Sequence, residues 1–145
     1  MRVVIDASVF VSAARLHEAM HRISLDFLHA ISQQGDELFA PALLFPEIAG
    51  AIARPTQDPE RARGTIALIK ATTNIQEIAV DQELSRRAAD IAANCFMRGA
   101  DSIYVALSQS LGAILITLDK EMLKRAPAAI TCLSPADWMK QYVRT

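Results

Sequence analysis

Short apolar runs alternate with longer amphipathic segments along the chain. Residues 2–6 form a β-branched run that ends in an acid, which is typical of a buried parallel strand. Residues 113–118 form the most apolar run of the chain and predict a second buried strand. Similar but weaker runs predict three further short strands, at residues 37–40, 74–80 and 129–133.

The segments between these runs carry helical spacing and helix-ending signals. In residues 17–34 apolar positions recur at intervals of three or four, and Gly35 supplies a C-terminal stop. Pro41 opens a helix that we expect to end at Arg54, because Pro55 lacks the N–H that a helix interior requires. Further helices are predicted at residues 9–14, 58–71, 81–98, 101–110, 119–125 and 135–142.

The alternation of strands and helices indicates an α/β domain with a mostly parallel sheet. The length of 145 residues suits one domain that spans residues 1–145, and no internal repeat or low-complexity tract is visible. The pattern therefore fixes a fold class before any chemistry is considered.

Composition bears on the location of the protein, the state of its cysteines and its attraction for nucleic acids. The apolar run before Asp119 is too short to span a bilayer, and the N-terminus does not resemble a signal peptide, so we expect a cytoplasmic protein with no membrane partner. Cys95 and Cys132 are far apart and lie in apolar surroundings, which favours reduced, buried thiols. A formal net charge of −1 gives no global field that would attract a nucleic acid.

Four of the sixteen acids stand in unusual positions. Asp6 ends the first buried strand, and Asp119 directly follows the fourth. Glu47 interrupts an apolar helix, and Asp101 starts the helix that leads into the fourth strand. If the first and fourth strands are adjacent, Asp6 and Asp119 emerge at the crevice where open parallel sheets bind ligands.

Carboxylates crowded in apolar surroundings need a counter-charge, and no Lys or Arg is spaced so as to neutralise all four. A divalent cation with oxygen ligands would supply that charge. Each acid also has a plainer interpretation: Asp101 and Asp119 as helix N-caps, and Asp6 as a strand-end turn residue. Glu47 has the weakest alternative, and the four together favour a metal site.

Four segments carry a family resemblance: residues 3–10 (VVIDASVF), 46–48 (PEI), 98–107 (RGADSIYVAL) and 115–119 (LITLD). Together they resemble the PIN-domain nucleases, and among these the VapC-type toxins of toxin–antitoxin pairs. The resemblance covers nearly the whole chain, and the segment around Asp101 is its most specific part.

The resemblance implies a three-layer α/β/α domain with a five-stranded, mostly parallel sheet. It implies Mg²⁺ or Mn²⁺ bound by Asp6, Glu47, Asp101 and Asp119, with the hydroxyls of Ser8 and Thr117 supporting these ligands. It further implies endonucleolytic cleavage of RNA, a homodimer, and a cognate antitoxin protein as partner. One ion would lower the pKa of a bound water, and a second would stabilise the leaving oxygen.

RNA contacts would come from basic residues around the crevice, although each is more simply a solvated charge. His17 and His21 could share a helix face at the substrate edge, and Tyr104 and Trp138 could stack on bases, although core packing is the simpler role for both. The apolar face of helix 17–34 and Phe45 offer surface for a dimer or an antitoxin helix. The candidate basic residues are Arg15, Arg54, Arg61, Arg63, Arg98, Lys120 and Lys124.

Other functional classes predict different sequence motifs. The main alternative is a non-catalytic PIN-like module that binds metal or RNA and serves regulation. A receiver-like phosphoacceptor domain would place an acidic pair near the first strand, whereas Asp6 has no acidic neighbour. A haloacid-dehalogenase-type phosphatase requires Asp-x-Asp, which the sequence Asp6-Ala7-Ser8 does not provide.

Overall fold

The structure is a computed structural model that describes residues 1–143, in which five strands and eight helices alternate. In chain order the elements are β1 (Arg2–Ile5), α1 (Ala7–Ala14), α2 (His21–Gln34), β2 (Glu37–Pro41), α3 (Leu44–Thr56), α4 (Pro59–Thr72), β3 (Gln76–Ile78), α5 (Gln82–Cys95), α6 (Gly99–Leu111), β4 (Ile114–Ile116), α7 (Lys120–Arg125), β5 (Cys132–Leu133) and α8 (Pro135–Tyr142).

The strands of the described chain form one parallel sheet in the order β3-β2-β1-β4-β5, which confirms the predicted fold class. Val3, Val4 and Ile5 of the central strand are completely buried. A parallel strand covered on both faces needs such a continuous apolar run, and this is why β1 could be recognised from sequence.

The strand order separates the helices into two layers. The chain moves from β1 to β2 and β3 in one direction and then returns to β4 on the other side of β1. Because parallel crossovers are right-handed, helices of the two directions cover opposite faces of the sheet. In agreement, α6 packs across β2, β1 and β4 beneath α5, while α1, α2, α3 and α4 pack on one another.

The predicted boundaries of the third helix are wrong. We expected it to span residues 41–54, but α3 begins at Leu44 and continues through Pro55 to Thr56. Pro55 leaves the carbonyl of Ala51 without its usual helical donor. The guanidinium of Arg15 donates to that carbonyl, and this contact compensates for the proline.

Other predicted elements are shorter or shifted. Residues 16–20 form turns, so α2 begins at His21 rather than at residue 17. Strands β3, β4 and β5 each cover two or three residues, and α6 starts at Gly99, two residues before Asp101. Within residues 1–143 no helix combines the length and apolarity that crossing a membrane would demand.

Candidate metal centre

The site is built where the order of the sheet reverses. Strands β1 and β4 are hydrogen-bonded neighbours, and Ile5 pairs with Ile116 at their carboxyl ends. The backbone N–H of Asp6 extends this ladder by donating to the carbonyl of Ile116, at 2.9 Å. Residues Asp6 and Thr117 therefore leave the sheet side by side, in the crevice where open parallel sheets bind ligands.

Asp6 lies at the bottom of this crevice and is only 5% exposed. Its Oδ2 accepts hydrogen bonds from the hydroxyls of Ser8, at 2.6 Å, and Thr117, at 2.8 Å. Burial raises the pKa of Asp6, the two hydroxyl groups lower it, and the charge of Asp101 raises it. The net effect is a raised pKa, because two hydroxyls only partly replace the lost water.

The same two hydroxyls fix the chain that follows β4. The Oγ of Ser8 accepts the backbone N–H of Leu118 at 3.0 Å, and Oγ1 of Thr117 accepts that of Asp119 at 3.0 Å. Each hydroxyl thus donates to the Asp6 carboxylate and accepts from the backbone that presents Asp119. Ser8 and Thr117 therefore contact the first acid directly and position the last one through its backbone.

Asp119 has two roles in the structure. Its Oδ1 accepts the backbone N–H groups of Glu121 and Met122 at 2.8 and 3.1 Å, so it caps α7. Its Oδ2 faces the crevice and accepts a hydrogen bond from Arg98. The plainer interpretation of Asp119 as an N-cap is thus correct and still leaves one oxygen for other chemistry.

Asp101 is not a helix N-cap. Arg98 holds the N-cap position of α6, and Asp101 lies in the first helical turn with its side chain 10% exposed. Burial raises the pKa of Asp101, the hydrogen bond and charge of Arg98 lower it, and the charge of Asp119 raises it. A carboxylate in the first turn also benefits from the N-terminal end of the helix dipole.

Arg98 is the counter-ion that the sequence-based interpretation missed. Its Nε donates to Oδ2 of Asp101 at 2.8 Å, and its Nη2 donates to Oδ2 of Asp119. From sequence, Arg98 was only a candidate RNA contact, more simply a solvated charge, and its bridge between two of the acids was not predicted. The spacing of three residues between Arg98 and Asp101 at a helix start is the signal that could have revealed the pair.

Glu47 approaches the cluster from α3. Its half-buried side chain accepts a hydrogen bond from the hydroxyl of Tyr104, 2.7 Å from Oε1. Burial raises the pKa of Glu47, the Tyr104 hydrogen bond lowers it, and the charges of Asp6 and Asp101 raise it. Tyr104 lies three residues after Asp101 and so on the same face of α6, a spacing that could have indicated this partner.

The four carboxylates carry more negative charge than Arg98 balances. In the described residues, no three His, Cys, Asp or Glu side chains are grouped closely enough to hold a metal ion on their own. The donor chemistry nevertheless fits Mg²⁺ or Mn²⁺, because these ions prefer oxygen ligands and Mg²⁺ typically keeps several waters beside one or two carboxylates. Asp6, Glu47, Asp101 and Asp119 are the residues that would hold such an ion.

Trp138 is fully buried against Phe27, which confirms core packing as its simpler interpretation. Phe45 is also buried, so the prediction that it offers surface to a partner is wrong. Tyr104 is likewise buried, as its core interpretation required. His17 lies in a turn before α2 and shares no helix with His21.

The basic candidates and the cysteines have separate outcomes. Arg15 supports α3 and pairs with Glu18, and Arg63 pairs with Glu60. RNA contact stays a prediction for Arg54, Arg61, Lys120 and Lys124.

Both thiols are free and half-buried, and burial followed by the charge of Asp6 raises the pKa of Cys132 to about 12.

Solved structures show that this fold is a known one. VapBC2 from Rickettsia felis, bound to a DNA fragment from its promoter, matches with a TM-score of 0.72 at 11% identity over 92% of this chain and 98% of that chain. PAE2754 from Pyrobaculum aerophilum matches with a TM-score of 0.70 at 16% identity over 97% and 94%. VapC20 from Mycobacterium tuberculosis, a toxin that cleaves the sarcin-ricin loop, matches with a TM-score of 0.70 at 12% identity over 86% and 96%.

Sequence comparison supplies the family. A search of curated proteins found no significant match. The family model of the PIN domain matches residues 3–128, which include all four acids. PIN domains are nucleases as a family. The chain therefore belongs to the PIN domain family.

Proposed function

We propose that the protein is a metal-dependent endoribonuclease that acts as the toxin of a toxin–antitoxin pair. One observation supports this proposal: the carboxylates of Asp6, Glu47, Asp101 and Asp119, from four separate segments, lie near enough to raise one another's pKa in pairs, and Arg98 contacts two of them. Such a surplus of buried negative charge is costly for stability alone, and perturbed carboxylates in a cleft favour a functional role.

Each residue has a task in this reaction. Asp6, Asp101 and Asp119 would hold Mg²⁺ or Mn²⁺, and Glu47 would bind the ion or orient the attacking water. When bound, the metal lowers the pKa of water and stabilises charge on the phosphate and the leaving oxygen. Ser8 and Thr117 orient the Asp6 carboxylate through their hydroxyl donors.

RNA cleavage by the purified protein tests the proposal. We expect RNA to be cut in the presence of Mg²⁺ or Mn²⁺, to remain intact with chelator, and to remain intact with Asp6→Asn. Asp90→Asn is the matched control, because Asp90 is exposed on α5 away from the crevice. Cleavage by Asp6→Asn at the parental rate would contradict the four-acid site.

The alternative function is a non-catalytic module that binds metal or RNA. In such a module the ion pairs of Arg98, which occupy one oxygen each of Asp101 and Asp119, would persist. A protein that binds RNA without cleaving it under any divalent metal would support this alternative. Growth arrest on expression that Asp101→Ala abolishes would support the toxin instead.

An apolar groove is the candidate antitoxin site. It measures about 330 Å³ between α1, α2 and α4, and its lining includes Phe10, Leu28 and Ile69. Leu25 and Leu68 at its rim are 42% and 63% exposed. An amphipathic antitoxin helix would bury these side chains. VapBC2 and FitAB, whose solved structures share this fold, are toxin–antitoxin complexes and support an antitoxin as the partner.

The variant Leu68→Asp distinguishes two candidate occupants of this groove, the antitoxin and a second copy of this chain. If the groove binds the antitoxin, the variant should cleave RNA normally and resist neutralisation by the antitoxin. We expect the parent protein to be a homodimer when measured by light scattering. We expect the Leu68→Asp variant to remain a homodimer. A monomeric Leu68→Asp protein would instead assign the groove to the contact between two copies of this chain.

A further inference from the structure

Arg98 occupies the side of the acidic cluster that faces solvent. As the N-cap residue of α6 it has an extended backbone, with φ −61° and ψ 148°. Its guanidinium reaches from Asp101 on α6 to Asp119 at the start of α7. A cleft of about 260 Å³ lies beside this bridge and is also lined by Phe96 and Arg125.

The bridge uses particular oxygen atoms. Arg98 binds Oδ2 of Asp101 and Oδ2 of Asp119, while Oδ1 of Asp119 is already taken by the backbone of α7. An ion that binds Asp119 on its crevice side must therefore use the atom that Arg98 holds. Arginine suits this position because its planar fork offers parallel donors to two carboxylates.

Exposure differs sharply between the partners. The side chain of Arg98 is 71% exposed, whereas those of Asp101 and Asp119 are 10% and 22% exposed. The acids are fixed by packing and by the α7 cap, but the guanidinium can turn into water without disturbing the core. The two ion pairs are therefore reversible, as exposed ion pairs generally are.

We propose that Arg98 is a built-in counter-cation that competes with the divalent metal ion for Asp101 and Asp119. This inference rests on the proposed function. Without metal, Arg98 reduces the repulsion between the two acids and stabilises the fold. Binding of the metal to the Oδ2 atoms of these two acids requires the guanidinium to swing away, and this requirement weakens the affinity for the ion.

The proposal predicts opposite effects of one substitution. Arg98→Met keeps an unbranched apolar side chain but removes the cation. The metal-free variant should melt at a lower temperature than the parent, because two acids lose their counter-charge. Its Mn²⁺ affinity should nevertheless rise on the order of tenfold, since the ion no longer displaces a charged partner. A purely structural arginine would lower both stability and metal affinity.

Calorimetric titration with Mn²⁺, without RNA, measures the effect directly. Arg125→Met is the matched control: it removes the same charge beside the same cleft, but Arg125 pairs with Glu121 and not with a site acid. We expect its Mn²⁺ affinity to change much less than that of Arg98→Met. If Arg98→Met does not fold, Arg98→Lys takes its place in the titration. Lysine keeps the positive charge but lacks the paired N–H donors of the guanidinium, so Mn²⁺ should still bind more tightly than to the parent.

The outcomes separate this inference from the proposed function. If Asp6→Asn abolishes Mn²⁺ binding and the Arg98 variants bind as the parent does or more weakly, competition is refuted and the metal site stands. Equal tightening by Arg125→Met and Arg98→Met also overturns it, since any nearby charge would then suffice. If neither parent nor Arg98→Met binds Mn²⁺, both proposals fail.

Discussion

The hydroxyl of Tyr104 donates a 2.7 Å hydrogen bond to Oε1 of Glu47 and so joins α6 to α3 across 57 residues of sequence. Tyr104 is completely buried, and Glu47 is half-buried at the edge of the acidic cluster. Burial, followed by the charge of Asp6 and this hydrogen bond, raises the pKa of Tyr104, so the phenol stays a donor. A permanent donor keeps Glu47 directed toward the other acids.

Tyr104→Phe removes the hydroxyl that makes this hydrogen bond and keeps the buried ring. We expect the free energy of unfolding to fall by about 1 kcal/mol, because the carboxylate loses its protein partner while water can partly replace it. RNA cleavage should fall roughly tenfold, as is common when a residue that orients a metal ligand is lost. Urea unfolding and cleavage rates measure the two effects. Tyr142→Phe is the control, because Tyr142 packs on Trp138 away from the cluster. Loss of stability with unchanged cleavage would show that the bond only supports the fold.

Thr117→Val keeps the shape of a completely buried side chain but removes its hydroxyl. Asp6 then loses one of its two hydroxyl donors, and the backbone N–H of Asp119 loses its acceptor. We expect a loss of about 1–3 kcal/mol in unfolding free energy, measured by urea denaturation. Thr117→Ser retains the hydroxyl and should lose less. A serine variant less stable than the valine variant would mean that the methyl group, and not the hydroxyl, matters at this position.

The metal-free protein should lose stability as the pH rises. The pKa values of Asp6, Glu47 and Asp101 all lie above the ordinary values of 3.8 and 4.5. The folded state therefore binds protons more tightly than the unfolded state, and this stabilisation disappears as the pH rises through the raised pKa values. With chelator present, the melting temperature should fall as the pH rises from about 4, near the ordinary values, through the raised pKa values.

Asp6→Asn provides the check on that pH dependence. The variant removes the most buried of the three acids, so its stability should depend less on pH than that of the parent. Asp90→Asn, on the exposed face of α5, should leave the dependence unchanged. A parent protein that becomes more stable from mildly acidic to neutral pH would contradict the raised pKa values.

Phe96 holds a backbone conformation that suits glycine better. It ends α5 with φ 54° and ψ 46°, and its side chain is 80% exposed. Phe96→Gly should raise the unfolding free energy by roughly 0.5–1 kcal/mol, because the left-handed region strains a residue with a Cβ. Thermal melting measures the change. Phe96→Ala removes the ring but keeps the Cβ, so it should not give this gain; an equal gain in both variants would assign the effect to the exposed ring.

The sequence revealed the fold where burial is complete and periodicity is strong. The run Val3 to Ile5 and the run before Asp119 were recognisable as buried strands because both faces of each are covered, whereas their adjacency was assumed and is shown by the structure. The predicted helix ends were wrong where contacts between distant residues override the conformational preferences of the local sequence. Arg15 lets α3 pass through Pro55, and no local pattern predicts a donor from another helix.

The sequence singled out the four candidate acids and the hydroxyls beside Asp6, but not the ion pairs of Arg98 or the Tyr104 hydrogen bond. Asp6, Glu47, Asp101 and Asp119 stand out because carboxylates are unexpected in apolar segments. Ion pairs and hydrogen bonds between distant segments depend on how helices pack. The contacts of Arg98 with Asp119 and of Tyr104 with Glu47 therefore required the structure.

The pairing of β1 with β4 also determines when the acidic cluster can exist. The Asp6 carboxylate receives a donor that lies 111 residues later, and Arg98, Asp101 and Asp119 all follow α5. A nascent chain on the ribosome exposes Asp6 and Glu47 early but cannot complete the cluster until β4 has been synthesised and has docked. If the protein cleaves RNA, the translation machinery that produces it meets no assembled site until late in each round of synthesis.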